Sequence, residues 1–279
     1  VILFKRIHSI LQTNVSVEIN NPITPTIECQ SITILSANLC HTWPKRNFPY
    51  ERLHKFIELV KEKQADILLL QEVMHTDTSG VHGWLAEQLQ MNVAYARTNG
   101  HRQWLRFEEG VAVLSRFPIV HTEHKFLKSF FHPFVHRQAL AAQIATPWGK
   151  ILAISTHLSI TPWQNRHQIE QIQTWIEGQA HSAVLGGDFN AAEHTHRIAR
   201  IQQIWIDTLR HIYPTFSQPF THSLNLPFRQ RIQQRLDYIF LIQHEPKWAI
   251  LSAGIDQAYH FSDHLAVWAQ LAPITSESS

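Results

Sequence analysis

The sequence predicts a mixed α/β fold built in layers. Strand-like apolar runs recur along the chain, and several are apolar on both faces, as strands covered on two sides must be. Helical periodicities alternate with them, and one pair of runs is joined by a hairpin turn, which argues against a purely parallel sheet.

The first convincing strand is ITILSANLC (32–40), followed by a helix in which Leu53, Phe56, Ile57 and Val60 recur at helical spacing. ADILLLQEV (65–73) and GVAVLSRF (110–117) read as strands. ALAAQIAT (139–146) and ILAISTHL (151–158) flank the turn Pro147–Lys150. Ile169, Ile172 and Ile176 mark a second helix before SAVLGGDF (182–189), and LDYIFLI (236–242) and HLAVWAQLA (264–272) complete the strands. Residues 1–30 lack clean periodicity, contain NNPITPTIE and are expected to form an arm or an added edge strand. Residues 31–273 are expected to form one domain and 274–279 a tail; a chain of 279 residues that is 44% apolar is long enough for a single large core.

Composition excludes more than it selects. With 24 basic and 22 acidic side chains the net charge is +2, too mild to announce a nucleic-acid binder. The 20 histidines are scattered singly, and the nearest cluster, His194–Arg197, reads as a solvated helix start. Cys29 and Cys40 lack metal-ligand spacing and are expected to be free, small, buried residues. The opening VILFKRIHSIL holds no long apolar segment of secretory or membrane-spanning type, so a cytoplasmic protein is the default expectation; the chain starts at Val, which leaves secretion or membrane association open. No obligate protein partner is evident, and oligomeric state is not addressed by the sequence.

Chemistry-bearing residues gather at the ends of these runs. Glu72 closes ILLLQEV, where a carboxylate leaving a buried strand needs a cation or strong donors; a hard divalent metal fits, as does a plain surface glutamate. Asn38 holds the same position in its strand and either orients that carboxylate, binds metal through oxygen, or simply forms a turn. In GGDFN, two glycines permit close backbone approach, and one intervening residue places Asp188 and Asn190 on one face of an extended segment. Asp188 then handles water and Asn190 donates to a phosphoryl oxygen. Asp263 and His264 precede the last strand: Asp263 is assigned to metal or its water, and His264 to the phosphate with Asp237 as its carboxylate partner. His157 ends another strand as a second imidazole, with Glu109 as its expected partner and the adjacent Glu108 as a substitute.

Asn38, Glu72, His157, Asp188, Asn190, Asp237, Asp263 and His264, in this order, resemble the endonuclease/exonuclease/phosphatase superfamily over about residues 31–272. The resemblance implies a four-layer sandwich of two mixed sheets with helices outside and an active site at one edge. It implies Mg²⁺, sometimes replaced by Mn²⁺, held mainly at Glu72, with in-line attack of water on a phosphoester. Glu109 matches the acid paired with the first histidine in the deoxyribonuclease branch. Ala191 and Ala192 after Asn190, and Tyr238 after Asp237, disfavour the inositol 5-phosphatase branch, while His157 leans away from apurinic endonucleases toward deoxyribonucleases and sphingomyelinases. The expected activity is a phosphodiesterase acting on nucleic acid or a phospholipid; the alternative is a non-catalytic binding module that retains the fold.

Two segments are expected to form the substrate rim. Residues 214–235 mix Phe216, Phe220 and Phe228 with Arg229, Arg231 and Arg235, suited to stacking bases and neutralising phosphates. Residues 125–137 place Phe126, Phe130, Phe131 and Phe134 beside Lys128 and Arg137, suited to a lipid interface or to tucking onto the core.

Overall fold

The structure, a computed structural model, describes residues 17–21, 29–41, 49–76, 79–101, 105–128, 136–215, 217, 219–225 and 231–274. Two sheets form its frame. The seven-stranded sheet runs in the order β1 (Val17–Asn20), β4 (Asn92–His101), β5 (Phe107–Ser115), β3 (Ile67–Thr76), β2 (Ile32–Asn38), β15 (Val267–Pro273), β14 (Trp248–Ile255). The six-stranded sheet runs β10 (Ile206–Asp207), β13 (Asp237–Ile242), β9 (Ala183–Asp188), β8 (Gly149–His157), β7 (Arg137–Thr146), β6 (Ile119–Leu127). β11 (His222–Asn225) and β12 (Arg231–Gln234) form a separate hairpin.

Alternation along the strands sorts the apolar side chains into layers. Ile34, Ile67, Leu69, Val111 and Val113 of one sheet meet Leu140, Ala142, Ile151, Val184 and Ile239 of the other. Leu35, Leu68 and Leu70 face the opposite way, against Phe56 and Val60 of α1 (Tyr50–Glu62) and Leu85 of α2 (Val81–Leu89). On the far side, Ile154, Leu185 and Phe240 pack on Ile169, Ile172 and Ile176 of α3 (Pro162–Glu177) and on Ile198 and Ile201 of α4 (His196–Ile201). The result is the four-layer sandwich that the family resemblance implied, with strands buried on both faces for that reason. No helix among the described residues is long and apolar enough to cross a membrane.

One parallel pair in each sheet positions the functional edge. β2 runs parallel to β3 through α1, and β8 parallel to β9 through α3, because a parallel connection needs a crossover. Such pairs bring their C-terminal ends together. Asn38 ends β2, His157 ends β8 and Asp188 ends β9, while the antiparallel β13 opens with Asp237 at the same level. In register, His157 stands opposite Asp188 and Asp188 opposite Asp237.

Two boundaries beside the site differ from the sequence expectation. β3 does not stop after Glu72 but continues to Thr76; a bulge between Leu70 and Val73, with Glu72 at φ +52°, turns that side chain out of the ladder. The last strand begins at Val267, so Asp263 and His264 lie in the preceding bend rather than on the strand. The strands β4, β6 and β14 were not read from the sequence; β6 and β14 are half-exposed, and the polar side chains of β6 mask its period.

The glycine pair explains itself here. A Cβ on Gly186 would lie 2.7 Å from Leu69 Cδ1 of the opposite sheet, and one on Gly187 only 1.9 Å from the Thr156 carbonyl oxygen. Gly187→Ala is therefore expected to lower stability by about 1–3 kcal/mol, since backbone rather than a mobile side chain must give way. Urea denaturation checks this, and an unchanged midpoint would contradict it.

Candidate active site at the sandwich edge

Asp188 is the point of convergence. Its Oδ1 accepts the Asn190 backbone N–H at 2.8 Å. Its Oδ2 is approached by Asn38 Nδ2 at 3.2 Å, His157 Nε2 at 3.4 Å and His264 Nε2 at 3.9 Å. The bond to Asn190 is an Asx turn with Asn190 at φ +47°, so the two residues do not share an extended face as expected; the turn curls Asn190 back over the strand end, where its Nδ2 donates to the Leu158 carbonyl at 3.0 Å. Burial and the neighbouring Asp237 push the Asp188 carboxyl up to about 7.

Asn38 links the two sheets. Its Nδ2 also donates to Glu72 Oε1 at 3.2 Å, while its Oδ1 accepts the Cys40 N–H at 2.9 Å. Of the roles expected for Asn38, this geometry favours orienting the carboxylates over offering an oxygen to metal. Below it, Gln71 Nε2 donates to Ser155 Oγ at 3.0 Å, and Ser155 Oγ donates to the Leu70 carbonyl at 2.8 Å, a second polar tie between the sheets.

His264 pairs with Asp237 as expected, Nδ1 to Oδ2 at 2.8 Å. Burial opposes the charge on this imidazole, but Asp237, Asp188 and Asp263 overcome it and raise its pKa to about 10, so it is a cation at neutral pH. His157 is the opposite case: burial, then Arg137, His264 and His41, hold it well below the usual range and keep it neutral. Asp263 lies exposed beside His264; burial pushes its carboxyl up, but His264, the Cys40 thiol and Ser262 outweigh that and lower it. The Cys40 thiol is pushed to about 11 by burial and Asp263.

Glu109 requires a correction. It does not partner His157, whose carboxylate neighbour is Asp188. On β5 it accepts from Asn99 Nδ2 at 2.6 Å and lies 4.0 Å from His41 Nε2, with Arg137 also acting on it. Glu108 stands one residue on and faces Tyr95 instead, its Oε1 3.5 Å from the phenol.

The rim expectations meet the structure unevenly. Arg137 opens β7 and belongs to the site, since its charge acts on both Glu109 and His157. Arg235 does not: it is 2% exposed and locked to Asp207 at 2.7 and 2.8 Å and to Glu193 at 3.0 Å, so it is a core ion pair rather than a phosphate contact. Arg231 belongs to β12 by its backbone. Phe216, Phe228, Arg229, Phe130, Phe131 and Phe134 lie outside the described residues. Cys29 and Cys40 are free, but part-exposed rather than buried.

Four site residues were not read from the sequence. His41 donates its N–H to Glu72 Oε2 at 3.0 Å and sets its ring 3.5 Å from the same oxygen. Arg52 of α1 donates to the carbonyls of Leu39, Cys40 and Phe261, tying the β2 exit to the bend that carries Asp263. Thr221 Oγ1 accepts the N–H groups of Leu236 and Asp237, and its carbonyl accepts that of Leu265, so it fixes Asp237 relative to His264. His222 sets its ring 4.6 Å from that of His264.

A hard divalent cation fits this edge. Glu72, Glu109, Asp188, Asp237 and Asp263 crowd it, countered by Arg137 and His264, and Asp237 Oδ1 is buried without a hydrogen-bond partner. Glu72, its side chain 19% exposed, is accessible from outside.

Residues 35–264 match the model of the Endonuclease/Exonuclease/phosphatase family, and the chain belongs to that family, whose members are typically hydrolases of phosphoester bonds and generally use a divalent metal. Solved structures share the fold. A family protein from Leptotrichia buccalis C-1013-b is 20% identical, with 86% of this chain and 99% of that one covered at a TM-score of 0.70. TDP2 of D. rerio complexed with a single-strand DNA product is 14% identical (87% and 99%, TM-score 0.68), and the human Nocturnin catalytic domain with bound sulfate is 18% identical (93% and 97%, TM-score 0.66). No curated protein matches the chain.

Asp237→Asn removes the charge that keeps His264 protonated. The His264 pKa should fall from about 10 to about 8 or below, within the range that loss of one adjacent opposite charge produces. The imidazole then begins to lose its proton near neutral pH, where in the parent it does not. A histidine NMR titration reads this, and an unmoved His264 signal would contradict the pairing.

Proposed function

We propose that the protein is a divalent-metal-dependent phosphodiesterase acting on nucleic acid or on a phospholipid head group. The observation that carries the reading is the convergence of Asn38, His157 and His264 on one Asp188 oxygen, beside a carboxylate cluster suited to Mg²⁺ or Mn²⁺.

In this reading Glu72 and Asp263 hold the cation, with Asn38 orienting Glu72. The cation, when bound, neutralises charge developing on the phosphoryl group. Asp188 accepts the proton of the attacking water, a task suited to a carboxyl pushed up to about 7. His264, held cationic by Asp237, donates to a phosphoryl oxygen, and Asn190 donates beside it. His157, kept neutral, offers a further imidazole contact to the phosphate, and Glu109 positions His41 and Arg137 around it. Arg137 contributes to the substrate rim.

The DNA product in the TDP2 structure favours nucleic acid as the first substrate to try. The test is hydrolysis of duplex and single-stranded DNA, RNA, abasic DNA, sphingomyelin vesicles and inositol phosphates with Mg²⁺ or Mn²⁺. One class should be cleaved, with EDTA abolishing activity and His264→Ala or Asp188→Asn lowering kcat by about 10²–10⁴. Nucleic-acid cleavage should also weaken steeply with salt, whereas lipid cleavage should rise on bilayers. Inactivity on the whole panel would contradict the reading and favour a binding module, and full activity in the variants would contradict the assigned catalytic residues.

A further inference from the structure

His222 has no part in the hydrolytic scheme, yet it is held against its central imidazole. An antiparallel bridge joins His222 to His264, and the Leu265 N–H donates to the Thr221 carbonyl at 2.7 Å, so backbone fixes the two residues together. One ligand atom each from His222, Asp263 and His264 lies within 4.8 Å of the others. Tetrahedral bonds of zinc length set neighbouring ligands about 3.3 Å apart, so modest side-chain movement closes the set.

We propose that His222, Asp263 and His264 form a transition-metal site for Zn²⁺ or a similar ion, which withdraws His264 from the phosphate and switches hydrolysis off. The chemistry of the donors carries the choice of ion. Two imidazoles and one carboxylate suit zinc, whereas Mg²⁺ takes oxygen ligands and keeps several waters. The orientation of His264 fits as well. Its Nδ1 is committed to Asp237 at 2.8 Å, which leaves Nε2 as the ligand atom in the carboxylate–histidine–metal arrangement found around bound zinc. Asp237, 1% exposed, is the buried acid of that arrangement, and its second oxygen, Oδ1, has no hydrogen-bond partner.

Access is open on the Asp263 side: Asp263 is exposed and His222 half-buried, so solvent reaches two of the three ligands. Binding forms three metal–ligand bonds and releases the His264 proton to solvent; no electron is transferred. Occupation of this site and donation by His264 to a phosphate exclude each other. Only that consequence rests on the proposed hydrolytic function; the metal site itself does not.

The experiment uses Co²⁺ as a spectroscopic stand-in on the full chain, stripped of metal and held in millimolar Mg²⁺. The expected result is one Co²⁺ per chain with the intense visible absorption of a four-coordinate ion, displaced by Zn²⁺. Binding should weaken at least about tenfold in His222→Ala and in Asp263→Asn, with circular dichroism showing both folded. His222→Asn serves as a second variant, and His194→Ala, an exposed histidine before α4, should bind as the parent does. Absence of a stoichiometric site in the parent, or affinity equal to the parent's in both His222 variants, would overturn the proposal. Because absorption needs no turnover, an inactive protein leaves this test intact. Zn²⁺ inhibition of hydrolysis undiminished in the His222 variants would overturn the switch.

Discussion

Everything at the functional edge depends on one buried oxygen. Asp188 Oδ2 draws Asn38 from the seven-stranded sheet, His157 from the neighbouring strand of its own sheet and His264 from the bend before the last strand. These residues lie 150, 31 and 76 positions from it in the chain. Their meeting requires both parallel strand pairs to end at one level, and the crossovers through α1 and α3 impose that. The site is thus a product of topology first and of side-chain chemistry second.

Its electrostatics follow from the same crowding. Burial and the nearby Asp237 push the Asp188 carboxyl up to about 7, while Asp237, Asp188 and Asp263 keep His264 charged. Two adjacent imidazoles end in opposite states for a local reason. His264 has Asp237 on its Nδ1, whereas the field at His157 is dominated by burial and by the cations Arg137 and His264. A divalent cation among these acids would relieve their repulsion, so metal binding would also help to hold the edge together.

Much of this was legible in the sequence, and what was not has physical reasons. Apolar strands ending in Asn38, His157 and Asp188 were visible because both faces of each strand are buried, and the Asp237–His264 pair followed from one motif at a strand start and one just before a strand. The bulge that aims Glu72 carries no glycine or proline to mark it, so the strand was expected to stop there. Arg235 looked like a surface cation among aromatics. Its buried partner Asp207 lies 28 residues upstream, where it also caps α5 (Thr208–Ile212), and no local pattern connects the two. His41, Arg52, Thr221 and His222 act through loop paths and backbone groups, which periodicity does not encode. Glu109 was placed on the right strand but given the wrong histidine, because the register of β5 against β4 sets it beside Asn99 and His41.

The central claim is that this cluster of acids is built around a divalent cation held at Glu72. Thermal denaturation with and without Mg²⁺, in the parent and in Glu72→Gln, tests it without reference to any substrate. Mg²⁺ at one hundred times its dissociation constant should stabilise the parent by about 2.7 kcal/mol and leave Glu72→Gln nearly unmoved. An equal rise in both proteins, or none in the parent, would contradict the account.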